Sequence, residues 1–202
     1  MHADFYDERY FEGGDKSNYG GYSEASSPFA LHADTIERLL AHYSLHGPVL
    51  DVGCAKGYLV WELRRRGVDA WGVDWSEYAV ARADDDVRPY LSHASATSLP
   101  YPDQHFAAVV SFDVLEHLDR PTAELALKEC ARVSERQLHQ INTGRLEEWR
   151  FDGDASHCLK LPLDQWQGIA RGLGLSGADI CEPDRNLPYL ATVPTSPLDS
   201  HT

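Results

Sequence analysis

The sequence predicts an α/β fold with a doubly wound, mostly parallel sheet and helices on both faces. Three observations carry that expectation. A β-branched run at 49–52 enters a glycine loop, a helical stretch with one apolar stripe follows, and a second apolar run at 69–74 completes a strand-helix-strand unit. Parallel strands need a long crossover, and the helical stretch supplies it.

The elements follow in order. Residues 1–28 are rich in Tyr, Phe, Gly and acids without a stable period and read as an irregular or partly helical lid. Over 28–43, Leu31, Ile36, Leu39 and Leu40 fall near one helical face, and Gly47-Pro48 ends the segment. After the strand Val49–Val52, Leu59, Val60 and Leu63 share a helical stripe that Gly67 closes. The strand at 69–74 is followed by a helix over 76–83 with Ser76 placed to cap it. A weaker strand falls at 89–92 and a strong apolar one at 106–112; a helix at 121–133 has Pro121 near its first turn. A fifth strand is expected at 137–141, a helix at 163–173, and a closing pair of strands at 178–181 and 189–193. The organisation is a lid at 1–28, one catalytic or binding unit at 29–193, and a disordered tail at 194–202.

Charge narrows the partners. The 18 Lys+Arg against 32 Asp+Glu give a net charge of −14, which repels nucleic acid and anionic membranes, so neither is expected as a partner. No apolar run approaches the ~20 residues that span a bilayer. Asp4, Asp7 and Glu8 stand where a secretion signal would be basic and then apolar. Cys54, Cys130, Cys158 and Cys181 form no Cys-x-x-Cys pair. Reduced thiols in a soluble cytoplasmic protein, monomer or homodimer, are the expectation.

The run Val49–Val52 leads into Gly53-Cys54-Ala55-Lys56-Gly57, where small residues let backbone N–H groups approach a ligand at a helix N-terminus. Asp74 falls at the C-terminal end of the second strand, where an acid can accept both hydroxyls of a ribose. A dinucleotide-binding G-x-G-x-x-G would require glycine at position 58, which is Tyr58.

The small residues at 53, 55 and 57, preceded by Asp51, resemble the D/E-x-G-x-G-x-G motif of class I S-adenosylmethionine-dependent methyltransferases, with Ala55 at the middle glycine. Residues 94–118, with Leu99-Pro100-Tyr101 and the ending Asp113-Val114-Leu115-Glu116-His117-Leu118, look like the methyltransferase-11-like branch. Tyr6–Phe11 is similar to a family lid and 154–157 to a segment after strand five, so the resemblance covers about residues 5–193. It implies a Rossmann-like seven-stranded sheet of order 3-2-1-4-5-7-6 and S-adenosylmethionine as cofactor. It further implies that Asp51, Gly53, Cys54, Ala55 and Gly57 cradle the methionine moiety, Asp74 binds ribose and Trp75 lines adenine. Ser95 and Ala96 lie beside the adenine, Phe112 and Asp113 border the cofactor, and Tyr10 and Tyr19 belong to the lid. Three departures stand out: Ser95 replaces the acid that contacts the adenine amino group, Ala107 replaces an Asp, and Ser134-Glu135-Arg136 replaces a Pro-Gly turn.

Methyl transfer to a neutral acceptor needs alignment, exclusion of water and a base. His157 is the first candidate base, with Asp154 to orient it; His139 is second and His117 third. Tyr6, Tyr10, Phe11, Tyr19 and Tyr22 would close over the cofactor as a lid, or pack on the helix that follows. No metal is expected, because 84–86 reads as a solvated acidic run. The resulting expectation is methyl transfer to a small molecule of secondary metabolism, O-methylation of a natural-product, sugar or phenol hydroxyl ahead of N- or C-methylation. A catalytically silent cofactor-binding subunit is the alternative from another class, and a nicotinamide enzyme is disfavoured by Tyr58.

Overall fold

Val49–Val52 (β1) is buried at all four residues, as a central parallel strand covered on both faces must be. In a computed structural model of the chain, residues 3–17, 21–142, 156–181 and 188–194 are described. A short helix, Glu8–Phe11 (α1), is capped by Asp7, whose carboxylate accepts from the Arg9 and Tyr10 N–H groups. Phe29–His42 (α2) precedes β1, and Tyr58–Arg65 (α3) follows the glycine loop. Ala70–Asp74 (β2) leads to Glu77–Ala81 (α4), and Ser76 caps it by accepting from Ala79 N at 3.0 Å, as the sequence predicts.

The third strand sits later than expected. Residues Arg88–Tyr90 form a 3-10 turn, and Leu91–His93 (β3) pairs with β2. Pro89 has no N–H to donate, so it fits the turn and not the ladder. Ala108–Phe112 (β4) and Arg120–Val133 (α5) follow; Asp119 caps α5 and Pro121 lies in its first turn. Gln137–Gln140 (β5) is wholly buried despite its polar sequence, and Leu163–Gly172 (α6) leads to Leu175–Cys181 (β6) and Pro188–Pro194 (β7).

These strands make one seven-stranded sheet of order β3-β2-β1-β4-β5-β7-β6. β1 through β5 run parallel, and β7 pairs antiparallel with both β5 and β6. The last two strands are longer than the sequence suggests, because their full ladder runs from Leu175↔Pro194 to Cys181↔Pro188. Period-two alternation divides the core: Val110 packs with Ile36, Val60 and Leu63 from α2 and α3, whereas Val109 packs with Cys130 and Val133 from α5. Burying Leu63 and Leu127 alone contributes about 2 kcal/mol each, drawn from opposite faces. The expected tail at 194–202 lies, beyond Pro194, outside the described residues.

The strand order reverses between β1 and β4. Loops leaving the two strands diverge there, opening a crevice at their C-terminal ends.

Candidate active site

A cavity of about 260 Å³ occupies that crevice. Its wall is built from the ends of β1, β2 and β4, from 94–97 after β3, and from the N-terminal segment. The loop after β1 is shaped by sterics. Gly53 has φ +84°, and a Cβ there would overlap the Val114 side chain. Gly57, at φ +78°, caps α3; it stands behind the loop and does not line the cavity, and a Cβ there would meet Leu91 Cδ1 at 2.7 Å. Ala55 takes the left-handed φ of +49°, which costs a side-chain-bearing residue about 1 kcal/mol. Its N–H is thereby aimed at Asp74 Oδ2, 2.7 Å away, while Ser76 N donates to Oδ1 at 2.7 Å.

Asp74 is therefore a fixed carboxylate on the cavity wall, with lone-pair capacity beyond these two donors. Desolvation raises its pKa, opposed by those backbone donors. Asp51, buried on the same wall, is pushed up to about 8 by burial and by the neighbouring Asp74 charge. Asp113 ends β4 at φ +52°, and Gln140 Nε2 donates to its Oδ1 at 3.0 Å. Its side chain is exposed on the cavity wall, where desolvation by the surrounding protein raises this pKa too, against the opposing His157 charge. Cys54 also lines the wall, with a thiol pushed well up by burial.

Trp75, Ser95, Ala96 and Phe112 all line the cavity, as does Tyr10. Ser95 Oγ is bonded to Thr97 Oγ1 at 2.8 Å, so a pair of hydroxyls stands where the family has an acid. The N-terminal segment packs against the loop: Tyr10 and Phe11 are buried with Ala55 and Ala79. Lys56 Nζ binds Glu12 Oε1 at 2.6 Å and the Tyr22 carbonyl at 3.0 Å, and Ser76 Oγ donates to the Tyr6 carbonyl at 2.5 Å. Tyr19 and Asp154 lie outside the described residues.

The histidines separate. His139 is a core side chain, fully buried and absent from the cavity wall; Nδ1 is bonded to Ser111 Oγ at 2.7 Å and Nε2 to Gln137 Oε1 at 2.9 Å. Burial holds its pKa down to about 4, and the second-ranked base is thereby corrected to a structural residue. His157 is half-buried behind the wall, its ring edge-on to His117 at 4.5 Å between centroids. His117, ranked third from sequence, does line the cavity, with Nδ1 at 2.7 Å from Ser156 Oγ.

Sequence reasoning missed Ser26, Ser27, Phe29, Thr97 and Thr122, which also line the wall. Thr97 is two residues from Ser95 and was within reach of the motif; the others arrive only by tertiary packing.

A family profile described as "Methyltransferase domain" matches residues 49–137. The chain is 34% identical over 102 residues to a probable S-adenosylmethionine-dependent methyltransferase of Mycolicibacterium smegmatis, covering 48% of this chain and 38% of that one. Residues 49–137 thus match a methyltransferase domain, set in a sheet with the class I methyltransferase fold. A tRNA U34 carboxymethyltransferase of Pseudomonas fluorescens is 35% identical over 121 residues, 50% of this chain and 37% of that one. The chain thus spans less than two fifths of the length of these two curated relatives. Synechocystis magnesium protoporphyrin IX methyltransferase, solved with bound SAH, superposes with a TM-score of 0.64 at 19% identity, covering 82% of this chain and 83% of that one. This likeness extends the class I fold beyond the matched 49–137, and the family's cofactor is S-adenosylmethionine.

Proposed function

We propose that this chain transfers a methyl group from S-adenosylmethionine to the hydroxyl of a small, uncharged acceptor. The observation that carries the reading is the Asp74 carboxylate, fixed by the glycine loop and Ser76 on the wall of a cavity at the sheet's switch point. The residues fit the cofactor: a ribose diol needs a held acceptor, and Asp74 is one. Trp75 and Ala96 supply apolar wall for an adenine, and Gly53 and Ala55 leave room for the methionine portion.

When bound, the cofactor supplies a methyl carbon made electrophilic by its sulfonium. The chain's own residues align the acceptor, exclude water and take the proton. His117 is assigned the base, ahead of His157, because it faces the cavity. If Nδ1–H is donated to Ser156, the lone pair is kept on Nε2. Tyr6, Tyr10, Phe11, Tyr22 and Phe29 form an aromatic wall that excludes water and suits a planar acceptor. At about 260 Å³ the cavity lies near the lower bound for ligand pockets, so the acceptor binds at the rim this segment forms.

The tRNA modification named for the Pseudomonas relative raises an RNA acceptor as a second reading. The −14 charge opposes it. So does the pairing of Arg65, Arg66 and Arg132 with carboxylates, which leaves those cations neutralised locally. Incubation with labelled S-adenosylmethionine, a panel of phenols, sugars and hydroxylated natural products, and unmodified tRNA tests the assignment. Label in a small acceptor is expected; label only in tRNA, or in nothing, would remove it.

A further inference from the structure

The aromatic part of the cavity wall also carries a serine–histidine pair that the methyl-transfer reading leaves unused. Pro28 bars the residue before it from the helical region, and Ser27 is accordingly extended, with φ −146° and ψ 154°. Phe29 begins α2, its N–H donating to the Ser27 carbonyl at 2.8 Å, and His32 completes the first turn with its N–H on the Pro28 carbonyl at 3.1 Å. Pro28 is the helix cap, and the residue before a cap meets the one four places after it. That geometry brings Ser27 Oγ to 3.2 Å from His32 Nε2.

His32 is buried, and its ring lies 4.1 Å from that of Phe112 between centroids, tilted by 39°. Ser27 and Phe112 line the cavity, and His32 stands behind them. The neighbouring wall hydroxyl, Ser26, is engaged within its own turn: its Oγ accepts from Ser23 N at 2.8 Å and donates to the Gly21 carbonyl at 3.3 Å. Ser27 keeps capacity for a ligand. A hydroxyl offers one proton and two lone pairs. If Ser27 donates to His32 Nε2, both lone pairs remain; if Nε2–H donates to Ser27, one lone pair and the proton remain. Under either tautomer Ser27 can accept a hydrogen bond from a molecule in the cavity. Beside it, Tyr22 and Phe29 meet edge to face at 6.4 Å between centroids, giving apolar surface against which an aromatic ring can lie.

We propose that Ser27, backed by His32, is a specificity-determining residue of the acceptor site: it accepts a hydrogen bond from a second hydroxyl of an aromatic acceptor, while His117 serves the hydroxyl that is methylated. The inference rests on the reading of this cavity as a hydroxyl-methylating site, and narrows its substrate class to dihydroxylated aromatic rings. A ring with one hydroxyl closes on Ser27 without a donor for it, and a site built to bond a hydroxyl discriminates against the analogue that lacks it.

Methyl transfer from labelled S-adenosylmethionine by the full chain, measured with phenol and with catechol, resorcinol and hydroquinone, tests it, with S-adenosylmethionine binding followed by calorimetry on the same preparation. At least one of the diols is expected to exceed phenol about tenfold in kcat/KM, the size of effect expected of one neutral hydrogen bond. Ser27→Ala is expected to lower kcat/KM for that diol about tenfold, through KM and not kcat, and Ser27→Thr, which keeps the hydroxyl, to retain most of it. Phenol methylated as efficiently as every diol overturns the proposal and leaves the methyl-transfer reading standing. A diol preference unchanged in a Ser27→Ala chain that still melts cooperatively overturns it as well. Label in none of the four acceptors also overturns it: if S-adenosylmethionine binds, the cofactor site survives, and if it does not, the cofactor site falls too.

Discussion

Lowering pH should destabilise this protein in part through a single buried residue, His139. Its ring, on β5, is fully buried with both nitrogens engaged by Ser111 of β4 and Gln137 of β5, and its pKa in the folded chain is held down to about 4 against 6.5 for an ordinary histidine. The folded state excludes a proton that the unfolded chain accepts readily below pH 6.5. The unfolded chain therefore binds more protons between pH 6.5 and 4, and stability falls as pH falls through that window. The depression corresponds to about 3 kcal/mol in full, present above pH 6.5, of which about 2 kcal/mol is gone at pH 5. For a chain of this size that is a drop in Tm of roughly 4–8 °C. Other groups titrate over the same range, so the informative quantity is a double difference. Urea midpoints of the unaltered chain and of His139→Gln would be compared at pH 7 and pH 5. The substitution lowers stability at pH 7, but its loss between pH 7 and pH 5 should be smaller by about 2 kcal/mol. Equal losses in the two proteins would refute the reasoning, because they would place the acid sensitivity elsewhere.

Four further outcomes follow from the cavity. Asp74→Ala removes an acceptor worth about 2 kcal/mol per charge-assisted hydrogen bond, so S-adenosylmethionine affinity measured by titration calorimetry should fall at least ~30-fold. Ala55→Gly relieves about 1 kcal/mol of left-handed strain but adds a similar entropy to the unfolded chain and removes a buried methyl, so Tm in a calorimetric scan should stay within about 2 °C, without loss of cofactor binding. Glu12→Gln keeps an amide oxygen for Lys56 to donate to but removes the opposite charge, loosening the N-terminal segment; cofactor dissociation in stopped flow should quicken about fivefold at low salt, and less at high salt. His117→Ala should lower the turnover of an identified acceptor by about 10²–10⁴-fold with cofactor affinity kept, and His157→Ala by less; the reverse order would return the base to His157.

How much of this was legible in the sequence differs from one feature to the next. β1 was read to the residue because a short β-branched run ahead of a glycine loop satisfies a local rule that needs no partner. β5 was harder, since Gln137, His139 and Gln140 are polar and buried together; His139 is bonded to Gln137 and Ser111 and Gln140 to Asp113, and the contacts to Ser111 and Asp113 lie in no single window of sequence. Asp51, Asp74 and Asp113 were each named from local motifs, but their convergence on one wall lacking Lys and Arg among its described residues depends on strand order.

The sequence by itself determined the α/β class, the loop that shapes the cavity and the position of the Asp74 carboxylate at the end of β2, because glycine, caps and strand ends act within a few residues. Only the tertiary structure decided among the histidines, sending His139 into the core and His117 to the wall, since burial is a property of neighbours brought from far along the chain.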